Sequence, residues 1–389
     1  MKLLHITPYA APAFAFGGVA RAVDGLTTAL VRAGHAVTVL TTDADTPTRR
    51  LDAPADEVRG GVRIIRARNL SVWARGRLNL SSPPGLVRLL RGLLPGVDAV
   101  HLHEWRTVEA LLALPVIARA GVPVVVSPHG TLTPDTGRPA LKAGWDALIS
   151  PRLARHVSTA VGLTAHEADE IRTAWARWGV PAPRVTVIPN GVDVEAFAHL
   201  PDGAGFRARW GIGDAPTCLF LGRLHPRKGV LTLARGFLDH APAEARLVIA
   251  GGDEGALSEL HALLASRDDA DRVILTGYLD GAARLEALAA ADVFALPAVG
   301  EGLSMAALEA LACGIPAILS PGCHLPEAAE AGAALIVPPE DEAVGQAVRA
   351  LLTDPARRVA MGAAGRALVA ARFTWAGAAS AYSAVYALG

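Results

Sequence analysis

The chain has 389 residues, of which 51% are hydrophobic and 19% charged, with 37 basic and 37 acidic side chains. This length suits two domains, and the apolar fraction supplies large cores and excludes a disordered chain. A net charge of zero argues against a general polyanion binder, so nucleic acid is not the expected partner. Cys218, Cys313 and Cys323 have no C-x-x-C spacing and read as reduced thiols of a cytosolic protein, not as a disulfide framework or a thiolate zinc site. The longest apolar runs, such as 110–118, are too short to span a bilayer, and residues 2–7 read as a buried strand and not as a signal peptide.

Short apolar runs alternate with helix-period segments along most of the chain. Strands are expected at 3–7, 37–41, 62–66, 99–102, 124–127, 160–163 and 185–188, with helices at 19–32, 86–94, 107–119, 139–155 and 166–178. The pattern weakens across 189–214, where glycines and prolines mark a linker. It restarts with strands at 217–221, 246–250, 273–276, 293–296, 317–319 and 335–337, helices between them, and two further helices at 355–372 and 374–388. This is the α/β class: two doubly wound, Rossmann-like domains, 1–189 and 190–373, expected to face each other across a deep cleft.

Four segments could carry chemistry. The first is Gly222–Gly229, G-R-L-H-P-R-K-G, between a strand and a helix; Arg223 and Lys228 could converge there on one anion, although a solvated turn would look similar. Lys228 is one of only three lysines, with Lys2 and Lys142, against 37 − 3 = 34 arginines. The second runs from Glu301 to Glu309. Glu301 sits in a loop mouth, Glu309 is placed nearly two turns inside a helix starting near Leu303, and the free N–H groups of Leu303, Ser304 and Met305 offer an anion site. The third is the S-P-H-G turn, where His129 could bond a sugar hydroxyl or phosphoryl oxygen, move a proton, or serve structure alone. The fourth is Gly17-Gly18 after the first strand, where backbone can approach a ligand closely.

His101 and His103 lack a third metal ligand at usual spacing and read as acceptor contacts or structure; the two D-A-D strings, 43–45 and 269–271, read as loops, and no metal site is expected. Residues 49–91 hold ten arginines against three acidic residues, a local charge of 10 − 3 = +7, interleaved with Trp73, Leu78 and Leu80. That run is either a solvated loop or a surface for anionic lipid or a phosphate-linked acceptor.

Taken together, Gly17-Gly18-Val19, S-P-H-G, Pro189-Asn190-Gly191-Val192-Asp193, G-R-x-x-x-x-K-G, Thr276-Gly277-Tyr278-Leu279, and two glutamates separated by seven residues, with the stretch A-L-E-A-L-A-C-G-I-P, resemble glycosyltransferase family 4, the group 1 glycosyltransferases of GT-B fold. The resemblance covers nearly the whole chain. It implies a retaining, metal-independent transfer of a sugar from a UDP- or GDP-type donor to a hydroxyl of a glycan or lipid-linked acceptor, in cell-envelope or exopolysaccharide synthesis. It further implies that Arg223 and Lys228 bind the donor diphosphate, Glu301 and His129 contact the transferred sugar, and Glu309 holds the ribose. Backbone at Gly277, Tyr278 and Leu279 would meet the base, Gly17 and Gly18 would close over the phosphates, and the last helix, 374–389, would cross back to the first domain. The family's usual E-G-F-G is here Glu301-Gly302-Leu303-Ser304, which reshapes the expected sugar pocket, and Gly251-Gly252-Asp253-Glu254 also departs from the usual form and is given no role. The expected location is cytoplasmic with weak peripheral membrane association through 49–91. A nucleotide-sugar epimerase, a phosphorylase of similar shape, or a non-catalytic sugar-nucleotide binder are the rival readings.

Overall fold

Runs such as Val124–Ser127, apolar and buried at every position, can only be satisfied by a strand with neighbours on both sides and helices on both faces. A computed structural model describes all residues except 15–16, 47–48, 72, 75–79, 134–138, 280 and 389. Its contacts divide the chain into two units, one formed by Met1–Gly191 with Trp375–Gly389 and the other by Val192–Thr374.

The first unit runs β1 (Lys2–Ile6), α1 (Gly18–Arg32), β2 (Ala36–Thr42), β3 (Asp56–Arg59), β4 (Val62–Ala67), α2 (Leu86–Leu93), β5 (Ala99–His103), α3 (Val108–Ala120), β6 (Val124–Ser127), α4 (Pro139–Leu148), α5 (Ser150–Ala154), β7 (Thr159–Gly162), α6 (Ala165–Arg177) and β8 (Arg184–Val187). Its sheet has the order β3-β4-β2-β1-β5-β6-β7-β8, parallel except for the β3–β4 pair. One apolar cluster packs around Trp105, Trp175 and Leu114, and the other lies on the opposite face under α1.

The second unit runs α7 (Val194–Ala198), α8 (Ala204–Arg209), β9 (Thr217–Leu221), α9 (Val230–His240), β10 (Arg246–Ala250), α10 (Leu257–Ala265), β11 (Val273–Gly277), α11 (Gly281–Ala289), β12 (Val293–Leu296), α12 (Met305–Ala312), β13 (Ala317–Leu319), α13 (Pro326–Glu330), β14 (Ala334–Ile336), α14 (Asp341–Leu352) and α15 (Pro355–Arg372). Its six strands are all parallel, in the order β11-β10-β9-β12-β13-β14. The last helix, α16 (Trp375–Tyr386), belongs to the first unit and packs on α1, where a Cβ on Gly25 would overlap the Trp375 indole.

Three local expectations are corrected. The helix expected over 139–155 is two, because Pro151 lies in the first turn of α5 and cannot continue the hydrogen-bond ladder of α4. The stretch 189–214 is no plain linker: it contains α7, capped by Asp193 accepting from Ala196 N, and α8. Strand β3 was not expected because it is charged and almost wholly exposed; it pairs antiparallel through Gly60 and Gly61, both at positive φ (56° and 83°).

Candidate active site

In an open α/β sheet a ligand binds beyond the carboxyl ends of the strands, where the strand order reverses. In the second unit that reversal lies between β9 and β12: the chain builds outward through β10 and β11, then returns to the other side of β9. The loops after these two strands are Gly222–Gly229 and Pro297–Ser304, the two segments singled out from sequence.

The loops are fitted to each other by backbone. Val299 N–H donates to the Arg227 carbonyl at 2.9 Å, and the Arg227 guanidinium lies where a Cβ on Gly300 would sit. Gly229 has φ 70° and lies so close to the Pro297 carbonyl that no side chain fits. Across this junction Lys228 Nζ meets Glu301 Oε2 at 2.6 Å, with the two side chains 16% and 14% exposed. Glu301 is held in place by its N–H, which donates to the Gly322 carbonyl at 2.8 Å.

Arg223 does not share this contact. It is half exposed and pairs with Glu254 at 2.6 Å, a residue of the Gly251–Glu254 turn that had no role assigned from its motif. That turn is brought alongside by Leu224 N–H donating to Gly252 O at 2.8 Å and Glu254 N–H donating to Leu224 O at 3.0 Å. His225 stands among Arg223, Arg227 and Lys228; burial, and then these cations, hold its imidazole below its ordinary range, although Glu254 pulls the other way. Its Nδ1 accepts from Arg227 N–H at 3.1 Å, so a neutral His225 carries its proton on Nε2.

Helix α12 begins at Met305, capped by Ser304 Oγ accepting from Ala307 N–H at 3.3 Å. This corrects the expected start at Leu303. Among the described residues, the backbone N–H groups left open at this helix end are those of Ser304, Met305 and Ala306, while the Leu303 N–H lies outside the helix. Glu309 is therefore little more than one turn inside. It is buried and ion-paired with Arg284 of α11, a partner sequence reading missed. Tyr278 is half exposed just beyond β11, next to Gly277 at φ 72°.

In the first unit the order reverses between β1 and β5. Gly17, at φ 96° and ψ −150°, is the N-cap of α1, whose first residue is Gly18; only glycine adopts that backbone without strain. Glu104, directly after β5, accepts from Tyr9 OH at 2.9 Å and was also missed from sequence. His129 is held by a turn whose Gly130 N–H donates to Glu167 Oε1 at 2.5 Å; Glu167 Oε2 accepts from Leu163 N–H at 2.7 Å. Burial pushes the Glu167 carboxyl up to about 7 despite these two donors. A signal for Glu167 existed: Thr164-x-x-Glu167 has the capping-box spacing, and Thr164 does cap α6, although the Glu167 carboxylate reaches back to the Leu163 N–H and not to that of Thr164.

His101 and His103 are buried to 1% and 2% exposure, so they make no acceptor contact. His101 bonds Tyr386 OH at 2.7 Å and Ser127 Oγ at 2.9 Å, and Ser127 in turn bonds Tyr382 OH at 3.0 Å. Helix α16 thus closes a polar layer on the sheet. The basic run is also less open than its sequence implied: Arg49, Arg50, Arg63 and Arg66 pair with Asp45, Asp43, Asp56 and Glu57, and Arg66 is buried. Trp73 remains exposed and Leu80 partly so, while Arg75, Arg77 and Leu78 lie outside the described residues. Among the described residues no helix is long and apolar enough to cross a membrane.

Comparison with known proteins gives concordant matches. Residues 16–196 match the family model Glycosyltransferase Family 4, and residues 215–354 match Glycosyl transferases group 1. A GDP-mannose-dependent alpha-(1-6)-phosphatidylinositol monomannoside mannosyltransferase of Mycolicibacterium smegmatis is 32% identical over 70% of this chain and 72% of its own. A D-inositol 3-phosphate glycosyltransferase of Kineococcus radiotolerans is 32% identical over 92% of this chain and 88% of its own. Among solved structures, a sucrose-phosphate synthase from Thermosynechococcus elongatus superposes with TM-score 0.77 at 21% identity, covering 100% of this chain and 98% of that one. HepE of Anabaena in complex with UDP does so at TM-score 0.77 and 17% identity, covering 100% of both. These likenesses place the fold among GT-B proteins.

Proposed function

This chain belongs to glycosyltransferase family 4, and from that premise we propose that it moves a sugar, with retention of anomeric configuration, from a UDP- or GDP-type donor to a hydroxyl of a glycan or lipid-linked acceptor. The observation that carries the reading is the Lys228–Glu301 contact at the strand-order reversal. A side chain suited to phosphate and one suited to sugar hydroxyls touch, as the two sides of a scissile sugar–phosphate bond require.

In this reading Lys228 leaves Glu301 for the donor diphosphate, and Arg223 turns from Glu254 to join it. Both are then aimed at the negative charge that grows on the leaving nucleotide as the glycosidic bond breaks. The open N–H groups of Met305 and Ala306 face the same charge. Glu301, released, bonds hydroxyls of the transferred sugar, and Glu309, oriented by Arg284, takes the ribose. Tyr278, with Gly277 and Leu279, meets the base. From the first unit, Gly17 and Gly18 supply backbone to the phosphates and His129 contacts the donor sugar. Lys228 and Arg223 provide the cationic charge, so the reaction is proposed to run without a metal. A lipid-linked acceptor, cell-envelope or exopolysaccharide synthesis, and weak association with an anionic cytoplasmic membrane face through Trp73, Leu80 and the arginines of 49–91 complete the proposal.

The test is to supply UDP- and GDP-sugars with candidate glycan and lipid acceptors, with and without a chelator, and to read nucleotide release and the anomeric configuration of the product. Retained configuration and indifference to chelator are expected. Inverted product would refute the stereochemical proposal. An isomerised sugar nucleotide formed without acceptor would favour an epimerase, and nucleotide binding without release from any donor would favour a binding protein.

A further inference from the structure

Three imidazoles in the first unit form a line. His5 Nδ1 lies 2.9 Å from His103 Nε2, and His103 Nδ1 lies 3.0 Å from His129 Nε2. Ring centroids are 5.2 and 5.3 Å apart, with interplanar angles of 18° and 22°. Each centroid separation matches the N···N distance plus one ring radius on either side. The rings therefore lie end to end and nearly coplanar, the geometry of straight N–H···N bonds. His5 and His103 are buried at 0% and 2% exposure, while His129 is partly open.

A neutral imidazole has one donor and one acceptor nitrogen, so the direction of one bond dictates the other. In one direction His5 donates to His103 and His103 donates to His129, leaving a bare lone pair on His5 Nε2. In the other direction His5 Nε2 carries a proton. That atom is buried and has no hydrogen-bond partner among the described residues. An orphaned buried N–H is rarer than an unused acceptor, which selects the first direction. The line is uncharged at neutral pH: burial lowers His5 to about 3 and His129 to about 4, and holds His103 well below its ordinary range. The ionisable groups facing it are His101 and Tyr386, with Tyr382 packed on His101 and Glu167 behind the turn. A metal does not suit the cluster. Nitrogens of His5, His101 and His103 come within 4.8 Å of one another, but every ring nitrogen of the three except His5 Nε2 is already hydrogen-bonded.

We propose that His103, backed by His5, is a positioning residue that locks His129 as the neutral tautomer protonated on Nδ1. His129 sits at φ 54°, in the left-handed region, held there by the Gly130–Glu167 bond, so its aim is maintained against backbone preference. Its open edge then donates a hydrogen bond to an oxygen lone pair, on the donor sugar or a phosphoryl group, and cannot accept a proton from the acceptor hydroxyl. This consequence rests on the proposed contact between His129 and the donor.

The tautomer is read directly by 15N–1H multiple-bond correlation on the histidine-labelled full chain, assigned with single-histidine variants, and it needs no turnover. A bare Nε2 and a protonated Nδ1 on His129 are expected. A protonated Nε2, or a cationic ring at neutral pH, would overturn the proposal even if glycosyl transfer were established. With the best donor found, His103→Leu should lower kcat about 10–100-fold with little change in donor KM, the usual size for such outer-layer partners. His103→Asn, whose amide can still donate to His129, should restore most of it. Equal loss in both folded variants would reduce His103 to packing; if His103→Leu does not fold, the spectrum of the unmutated chain still decides.

Discussion

Replacing Lys228 by alanine isolates the charge on which the proposed reaction depends. Two independent estimates give its size. A unit charge pair about 4 Å apart near a protein surface is worth about 4 kcal/mol. Removing one preorganised donor to developing charge costs about 100–1,000-fold in kcat, or about 3–4 kcal/mol. Lys228→Ala should therefore lower turnover by two to three decades. The stability cost is separate. Glu301 loses its partner but remains 14% exposed, so the loss falls between a surface pair and a buried one, about 1–2 kcal/mol. For a unit of this size that lowers the melting temperature by about 2–8 °C. Arg223→Ala should be milder, about tenfold, because Arg223 is 49% exposed and its field is screened by solvent. The assay is steady-state nucleotide release at saturating donor, with thermal melts in parallel. Lys228→Ala turning over within threefold of the unmutated chain, or Arg223→Ala proving the worse of the two, would refute the reasoning.

Gly229→Ala should collapse the loop junction, since the left-handed backbone alone costs about 1–3 kcal/mol and the new Cβ meets the rigid Pro297 carbonyl; near-native stability by thermal melt would contradict this. Gly25→Val should displace Trp375 and loosen α16, seen as a red shift of tryptophan emission and a lower melting temperature, with unchanged emission as the contrary result. Acid should destabilise the first unit. His5, His101, His103 and His129 all have folded pKa values below the ordinary 6.5, so the stability they confer above about pH 6.5 is lost as pH falls toward 4; for His5 alone this is on the order of 5 kcal/mol at most. Glu167 has the opposite sign, its raised pKa favouring the fold below about pH 4.5 and losing that effect as pH rises through about 7, but one carboxyl does not offset four imidazoles. A melting temperature flat between pH 7 and 4.5 would contradict this balance.

Parallel strands were legible because burial on both faces removes polar residues: 217–221, 246–250, 293–296 and 317–319 coincide with β9, β10, β12 and β13 to the residue. Strand β3 was not, because an exposed edge selects no such pattern. Lys228 and Glu301 were legible as loop residues at strand ends, and the fold brings them together. Their supports were not. Arg284, Glu254 and Glu104 are single charged residues whose roles exist only through partners distant in sequence. For His103 an acceptor contact and a structural role stayed equally open, because a histidine ending a strand gives no sign of whether a neighbouring helix covers it; here Tyr382 and Tyr386, more than 250 residues later, lie over that end of the sheet.

The most direct measurement is a crystal structure of the full chain with a nucleoside diphosphate, for whichever base raises the melting temperature most. Phosphate oxygens on Lys228 Nζ, with its bond to Glu301 broken, and ribose hydroxyls on Glu309 are the expected result. A diphosphate bound elsewhere, with Lys228 and Glu301 still paired, would contradict it.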